Sequence, residues 1–291
     1  MTTAAAAHNP TPPPVLNLSA QLRQVRHVAL DMDGTIYSGG TLFKTTKPFL
    51  ELLDRLEIGY TFLTNNPSKN ITDYLDHLRH MGIAAQARQL YTSTQATIGF
   101  LRERFPKIRR LFVLGTESMA AAFTQAGFEL LPDRPDAEPD AVVVGFDLTL
   151  TYPRLCRAAW WIKQGKPYFA TNPDRICPTD QPTVLVDCGA ICAALESATG
   201  QPPAAVLGKP DPAMLQGILR QHQLRANELA MVGDRLYTDL AMAHRVGAFG
   251  VLVLTGETTR EQAHRHLPQP ALIVPSLTEF GAQLQVAHAQ R

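Results

Sequence analysis

Val25-Arg26-His27-Val28-Ala29-Leu30-Asp31-Met32-Asp33-Gly34-Thr35 is an apolar run that stops abruptly at two acids, a glycine and a threonine. Its Val, Ala and Leu residues, with a turn signal behind them, predict a buried strand of a parallel sheet rather than a helix. In open α/β sheets ligands bind at the carboxyl ends of the strands, so such a strand carries its acids to the reactive edge. Asp31 and Asp33, one residue apart on extended chain, point to opposite faces and so take different roles. One can face a metal and a reacting atom while the other leans over a leaving group. Gly34 permits a tight bend, after which the Gly34 and Thr35 N–H groups are candidates to receive phosphate oxygens. The plain alternative is an acidic turn, because Asp-Gly is ordinary turn chemistry.

The same pattern returns downstream. Tyr60-Thr61-Phe62-Leu63-Thr64-Asn65-Asn66-Pro67-Ser68 reads as an aromatic and apolar strand, followed by a Ser68-capped helix through Arg79. A hydroxyl and two amides at its end suit neutral donation to phosphate oxygens, or simple helix capping. Ala204-Ala205-Val206-Leu207-Gly208-Lys209-Pro210 sets a lysine between a strand and a proline-started helix. There one ammonium reaches a phosphate or Asp31, unless it is merely solvated. The Gly-x4-Gly-Lys-Ser/Thr spacing of a Walker A loop is absent. Leu229-Ala230-Met231-Val232-Gly233-Asp234 is again a short apolar strand ending in Gly-Asp, with a second acid, Asp239, five residues later.

Between these strings the elements fall into two α/β units. Phe49, Leu50, Leu52, Leu53 and Leu56 predict a helix over 47–57 that stops at Gly59. From Thr92 to Ala205 the pattern restarts, with strands over 110–115, 141–146 and 167–171 and helices over 117–126 and 152–164. Phe249 to Gly256 and Ala271 to Val274 read as closing strands. The expected division is a disordered tail over 1–17, a core over 18–91 and 206–291, and an inserted α/β cap over 92–205. Pro12-Pro13-Pro14 favours an extended, solvated tail, with a short lead-in turn over 18–24. Trp160 and Trp161 read as cap core rather than a base-stacking platform.

Composition narrows the function. The chain has 291 residues, 45% of them apolar, enough for a sizeable core and two domains. Its formal net charge of +1 provides no global field for nucleic acid or an anionic membrane, so attraction for an anion must be local. No apolar run approaches the roughly 20 residues of a membrane span, and Met1 to His8 lacks the features of a secretory signal. A cytoplasmic protein is therefore expected, and its four cysteines, Cys156, Cys177, Cys188 and Cys192, with no C-x-x-C pair and too sparse for a disulfide framework, are expected to be reduced thiols. No histidine spacing suits zinc, and His264 and His266 lie in a charged segment that reads as solvated.

Taken in order, D-x-D-G-T at 31–35, the Thr64 string, Gly208-Lys209-Pro210 and Gly233-Asp234 with Asp239 resemble the four motifs of the haloacid dehalogenase-like hydrolases. Val143-Val144-Gly145-Phe146-Asp147, Ala170-Thr171-Asn172-Pro173-Asp174 and Asp187-Cys188-Gly189-Ala190 resemble the cap of the NagD-type branch. That branch includes phosphatases acting on nucleotides, pyridoxal phosphate, phosphoglycolate and nitrophenyl phosphate. The resemblance implies a Rossmann-like parallel-sheet core with an inserted α/β cap, and hydrolysis of a small phosphorylated metabolite.

It also implies roles for the residues. Asp31 is the nucleophile that forms an aspartyl-phosphate, and Asp33 the general acid and base. Mg2+ is held by the Asp31 and Asp234 carboxylates and the Asp33 carbonyl, and oxygen-only ligands favour it over zinc. Thr64, Lys209, Asn65 and the amides around Gly34 hold the phosphate, while Asn66 and Asp239 support the site. Asn172, Asp174 and Arg175 of the cap meet the leaving group, and the cap is expected to form a homodimer contact. A phosphotransferase or mutase would use the same motifs, and a non-catalytic phosphometabolite-binding protein would keep them without turnover. A dehalogenase has no use for Asp33 or the Asp234 metal site.

Overall fold

In the computed structural model, described for residues 17–65, 71–177 and 182–289, His27–Asp31 is the strand that the apolar run predicts. All five of its residues are buried, because it runs between two parallel partners, Leu229–Gly233 and Gly59–Thr64. The full sheet has the order Leu272–Val274, Phe249–Val253, Leu229–Gly233, His27–Asp31, Gly59–Thr64, Leu90–Thr92, every pair parallel. Side chains alternate across it. Val28 and Leu30 pack with Phe49, Leu53, Phe280 and Leu284 of helices Thr46–Arg55 and Leu277–His288. Ala29 packs on the other side with Met214, Ile218 and Met242 of helices Ala213–His222 and Ala241–Val246. Helices on both faces leave only the sheet's ends open to ligands.

A second, five-stranded parallel sheet lies between the two parts of the first in sequence, ordered Ala205–Val206, Tyr168–Ala170, Ala141–Val144, Arg110–Leu114, Glu129–Leu130. Its faces are covered by Tyr152–Lys163 and Cys188–Thr199 on one side and by Ser93–Arg104 and Glu117–Gln125 on the other. Trp161 is buried in this core as expected, whereas Trp160 on the same helix is half exposed. Strands Ile176–Cys177 and Leu185–Val186 of this unit pair antiparallel.

Several elements have no counterpart in the residue reading, helices Cys188–Thr199 and Leu277–His288 among them, and two others escape pattern for a physical reason. Leu90–Thr92 is a three-residue edge strand, too short for a period to register. Helix Ser93–Arg104 packs Ala96 into one sheet's core and Leu101 into the other's, so its apolar residues form no single stripe. It is the seam between the units. The helix after Lys209 starts at Ala213, three residues beyond Pro210. The tail before residue 17 and the helix start expected at Ser68 lie outside the described residues, and the observed helix is Ile71–His80. Among the described residues no helix is long and apolar enough to cross a membrane.

At the end of the first sheet opposite Asp31, His27 is 5% exposed, its Nε2 2.8 Å from Thr61 Oγ1 and its ring 4.2 Å from that of His222. Burial, with His222 adding to it, pushes His27 down to about 3. The folded state therefore binds fewer protons than the unfolded chain between that value and the ordinary histidine range near 6.5, and stability falls as pH drops through this window. The expected loss is up to about 1.4 kcal/mol per pH unit. Urea unfolding of wild type and His27→Gln across this range checks it: the wild type must show the steeper acid slope.

Candidate active site

Adjacent strands bring the acids together. Asp31 ends His27–Asp31, Asp234 follows Leu229–Gly233, and Thr64 ends Gly59–Thr64 on the other flank. Lys209 arrives after Ala205–Val206 of the second sheet, so the site is made where the two units meet. Its Nζ donates to Asp31 Oδ1 and, at 2.8 Å, to Asp239 Oδ1. Asp239 sits in a single wide turn, Leu236–Leu240, which folds its carboxylate back toward the strand end, where Oδ2 accepts from the Arg235 N–H at 3.3 Å. Thr35 Oγ1 lies 3.4 Å from Asp31 Oδ2. Asp31, Lys209, Asp234 and Asp239 are all buried, and Thr64 is buried with its hydroxyl bonded to Tyr74.

Ligand oxygens of Asp31, Asp234 and Asp239 lie within 4.8 Å of one another. Three carboxylates against one ammonium leave excess negative charge in a buried place. Burial first, then the Asp31 carboxylate, pushes Asp234 up to about 6. Burial also raises Asp239, against the pull of Lys209. Burial by itself would lower Lys209, but Asp239 and Asp31 outweigh it and hold the ammonium above its usual range. Asp234 Oδ2 accepts from the Glu257 N–H at 2.7 Å, while Oδ1 is buried with no hydrogen-bond partner. A buried carboxylate oxygen without a donor, among oxygen ligands carrying surplus negative charge, fits a hard divalent cation such as magnesium.

Glycines make this crowding feasible. Gly34 adopts a φ of +82°, and a Cβ there would meet Asp234 Oδ2 at 2.5 Å. A Cβ on Gly256 would run into the same carboxylate, and one on Gly233 into Asp239. The strand expected over 249–256 ends at Val253, and the loop beyond it, Thr255-Gly256-Glu257, closes the site: the Glu257 N–H holds Asp234, and Thr255 Oγ1 donates to the Gly34 carbonyl at 2.7 Å. A Thr-Gly pair just beyond a buried strand was the available signal. Tyr74, buried behind Thr64, had no signal of its own.

Several expected contacts take another form. The Gly34 N–H donates to the Tyr37 carbonyl at 2.7 Å and the Thr35 N–H to the Met32 carbonyl at 3.2 Å, so neither is free for a phosphate oxygen. The turn that lets Asp234 approach uses both amides. The Asn65 amide is turned to the neighbouring chain: Oδ1 accepts from the Lys209 N–H at 2.6 Å, and Nδ2 donates to the Lys209 carbonyl and to Asp174. Asp33 is exposed, its Oδ1 accepting from the Gly39 N–H at 3.1 Å, and its carboxylate stands outside the cluster of three that Asp239 completes. Asn172 is fully buried among Thr171, Asp174 and Asp187, Asp174 is half-buried, and Arg175 is exposed. Asn66 lies outside the described residues.

The haloacid dehalogenase-like hydrolase family model matches residues 28–129, and a second model, described as HAD-hydrolase-like, matches 206–280. The acid sugar phosphatase of Staphylococcus aureus is 31% identical over 264 residues, which span 91% of this chain and 100% of that protein. The chain belongs to the haloacid dehalogenase-like hydrolases. The crystal structure of 4-nitrophenylphosphatase from Thermotoga maritima is similar with a TM-score of 0.83 and 37% identity, covering 90% of this chain and 98% of that one. That of glycerol phosphate phosphatase from Mycobacterium tuberculosis in complex with magnesium has a TM-score of 0.80 at 29% identity, covering 92% of this chain and 77% of that one. The first model runs from the first sheet into the insert as far as residue 129, and the second covers the return to the first sheet.

If the acid cluster holds the metal, magnesium at ~100 times its Kd stabilises the native state by about 2.7 kcal/mol. Thermal unfolding with magnesium and with a chelator measures this. In Asp234→Asn, and in Gly256→Ala where the new methyl displaces the carboxylate, the magnesium-dependent rise in Tm is expected to vanish.

Proposed function

We propose that the protein is a magnesium-dependent phosphomonoesterase that works through an aspartyl-phosphate on Asp31. The observation that carries the reading is Lys209 Nζ bonded to both Asp31 and Asp239, with Asp234 beside them, at adjacent strand ends. Phosphate monoesters hydrolyse so slowly unaided that accelerations reach about 10²¹-fold, chiefly because an anionic nucleophile must approach an anionic phosphoryl group. Lys209 offsets part of that repulsion and aims the Asp31 carboxylate. Asp31, Asp234 and the Asp33 carbonyl would hold magnesium, with Asp239 close enough to join or steady them; bound there, the cation supplies the remaining charge neutralisation.

In the first step an Asp31 oxygen bonds to phosphorus as the ester P–O bond breaks, and Asp33, protonated, passes its proton to the departing alkoxide. Asp33 is exposed on a turn bonded to Gly39, which suits a group that exchanges protons with solvent between steps. In the second step the Asp33 carboxylate takes a proton from water, the hydroxide bonds to phosphorus, and the P–O bond to Asp31 breaks. Thr64 and Lys209 orient the phosphoryl oxygens.

For the substrate, the names of the relatives support a small phosphate ester of a sugar, a polyol or nitrophenol. The insert meets the core beside Lys209 with polar rather than aromatic groups, Asn172 and Asp174, which favours a hydroxylated leaving group over a stacked nucleobase. Four free cysteines support a reducing, cytoplasmic setting. A homodimer through the insert is supported by Leu148, Tyr152, Trp160, Ile176, Val184 and Val186, large apolar side chains exposed on that unit. Light scattering on the purified protein tests this directly.

Release of nitrophenol from nitrophenyl phosphate, abolished by a chelator and restored by magnesium, is the primary test. Asp31→Asn is expected to lower kcat by at least about 10³, or ~4 kcal/mol in the barrier, with circular dichroism unchanged. Retained turnover in that variant would overturn the covalent route. Transfer to an added polyol faster than to water would instead mark a phosphotransferase.

A further inference from the structure

Asn65 is the point where three segments touch. Lys209 N–H donates to Asn65 Oδ1 at 2.6 Å, which fixes the orientation of the amide, because an N–H cannot face an NH2 group. Nδ2 must then be the atom that donates to the Lys209 carbonyl at 3.1 Å and to Asp174 Oδ2 at 3.2 Å. Both of its protons are committed, and the remaining atom is an acceptor that would repel a phosphate oxygen. The Asn65 carbonyl is itself held by Ser93 Oγ at 2.8 Å, at the start of the seam helix. Gly208, just before the lysine, approaches so closely that a Cβ there would meet Asn65 Oδ1 and the Asn172 Cα at 2.8 Å each.

On the insert side the path continues. Asn172 Nδ2 donates to Asp174 Oδ2 and to Asp187 Oδ1, each at 3.3 Å, and Asp187 caps helix Cys188–Thr199 through the Cys188 N–H. On the core side the Lys209 main chain leads to the ammonium that bonds Asp31 and Asp239. A continuous path of hydrogen bonds therefore joins the insert's helix start to the acid cluster, and it crosses from one unit to the other at the Asn65 side-chain amide. We propose that Asn65 is a positioning residue, not a phosphate ligand: it holds the Lys209 backbone in register and, through Asp174, makes that register depend on the seating of the insert. The ammonium is aimed at Asp31 when Asp174 is docked, and loses its aim when the insert lifts. The catalytic part of this inference rests on the phosphomonoesterase reading; the contact itself does not.

The test is a double-mutant cycle of Asn65→Asp with Asp174→Asn, read by unfolding midpoint and by kinetics on nitrophenyl phosphate. Asn65→Asp keeps the acceptor for the Lys209 N–H but removes both donors and sets a second carboxylate against Asp174. It is expected to lower kcat by about 10² with KM within about twofold, the signature of a misplaced catalytic group rather than lost binding. Adding Asp174→Asn returns a donor to the pair, and is expected to recover about tenfold of kcat and to raise the unfolding midpoint above that of Asn65→Asp alone.

If Asn65→Asp instead weakens inhibition by inorganic phosphate in proportion to its loss of kcat/KM, and Asp174→Asn recovers nothing, Asn65 is a phosphate ligand and the proposal fails. Coupled midpoints with uncoupled kcat would reduce the contact to a structural one and equally overturn it. Should Asn65→Asp not fold, Asp174→Ala probes the path from the insert, with kcat falling and phosphate inhibition unchanged. Wild-type protein inert toward phosphate esters would sink the phosphomonoesterase reading, while the midpoints of the cycle would still judge the contact.

Discussion

Everything around the site answers to one electrostatic constraint: three buried carboxylates face a single buried ammonium. Carboxylates within 4.8 Å in a place of low polarity repel one another, and burial penalises each charge further. Lys209 joins two of them, the Glu257 amide serves the third, and one oxygen of Asp234 is left without a donor. Such an arrangement is stable only if the surrounding fold holds it, and it is most stable with a divalent cation added. The glycines at 34, 233 and 256 are what let the backbone come close enough to crowd the acids in this way.

The fold meets that constraint by division of labour. The first sheet delivers Asp31 and Asp234 at the ends of buried neighbouring strands, so their separation follows strand spacing, while the turn Leu236–Leu240 folds Asp239 back to join them. The lysine comes from the exit of the second sheet, and thus reports on the relation between the two units. Helix Ser93–Arg104, buried on both sides, ties them mechanically, while the hydrogen bonds around Asn65 tie them chemically. A site assembled from two units in this way can sense whether both are in place.

Much of this was legible in the residues. A buried parallel strand needs a run such as Val28-Ala29-Leu30, and the acids, hydroxyl and lysine fall at element ends where pattern gives way to chemistry. The strands expected over 110–115 and 141–146 and the helices expected over 47–57, 117–126 and 152–164 emerged within a few residues of their bounds, whereas helices Cys188–Thr199 and Leu277–His288 did not emerge at all. Leu90–Thr92 did not, being too short, nor did Ser93–Arg104, because a helix buried on two sides has no amphipathic stripe. Trp160 and Trp161 show the complementary limit: adjacent residues on a helix point about 100° apart, and composition cannot say which one faces inward.

The amino-acid order by itself determined the α/β class, the insertion of one unit into another, and which acids and which lysine stand at strand ends. These are local properties, written in hydrophobic period and turn chemistry. Tertiary structure alone decided that Gly34 donates to Tyr37 and makes room for Asp234, that Asp239 joins the acid cluster while the Asp33 carboxylate turns outward, and that Asn65 grips Lys209. The reason is physical. A donor's partner depends on which atoms compete for it in space, and residues 144 positions apart, as Asn65 and Lys209 are, compete only once the chain has folded.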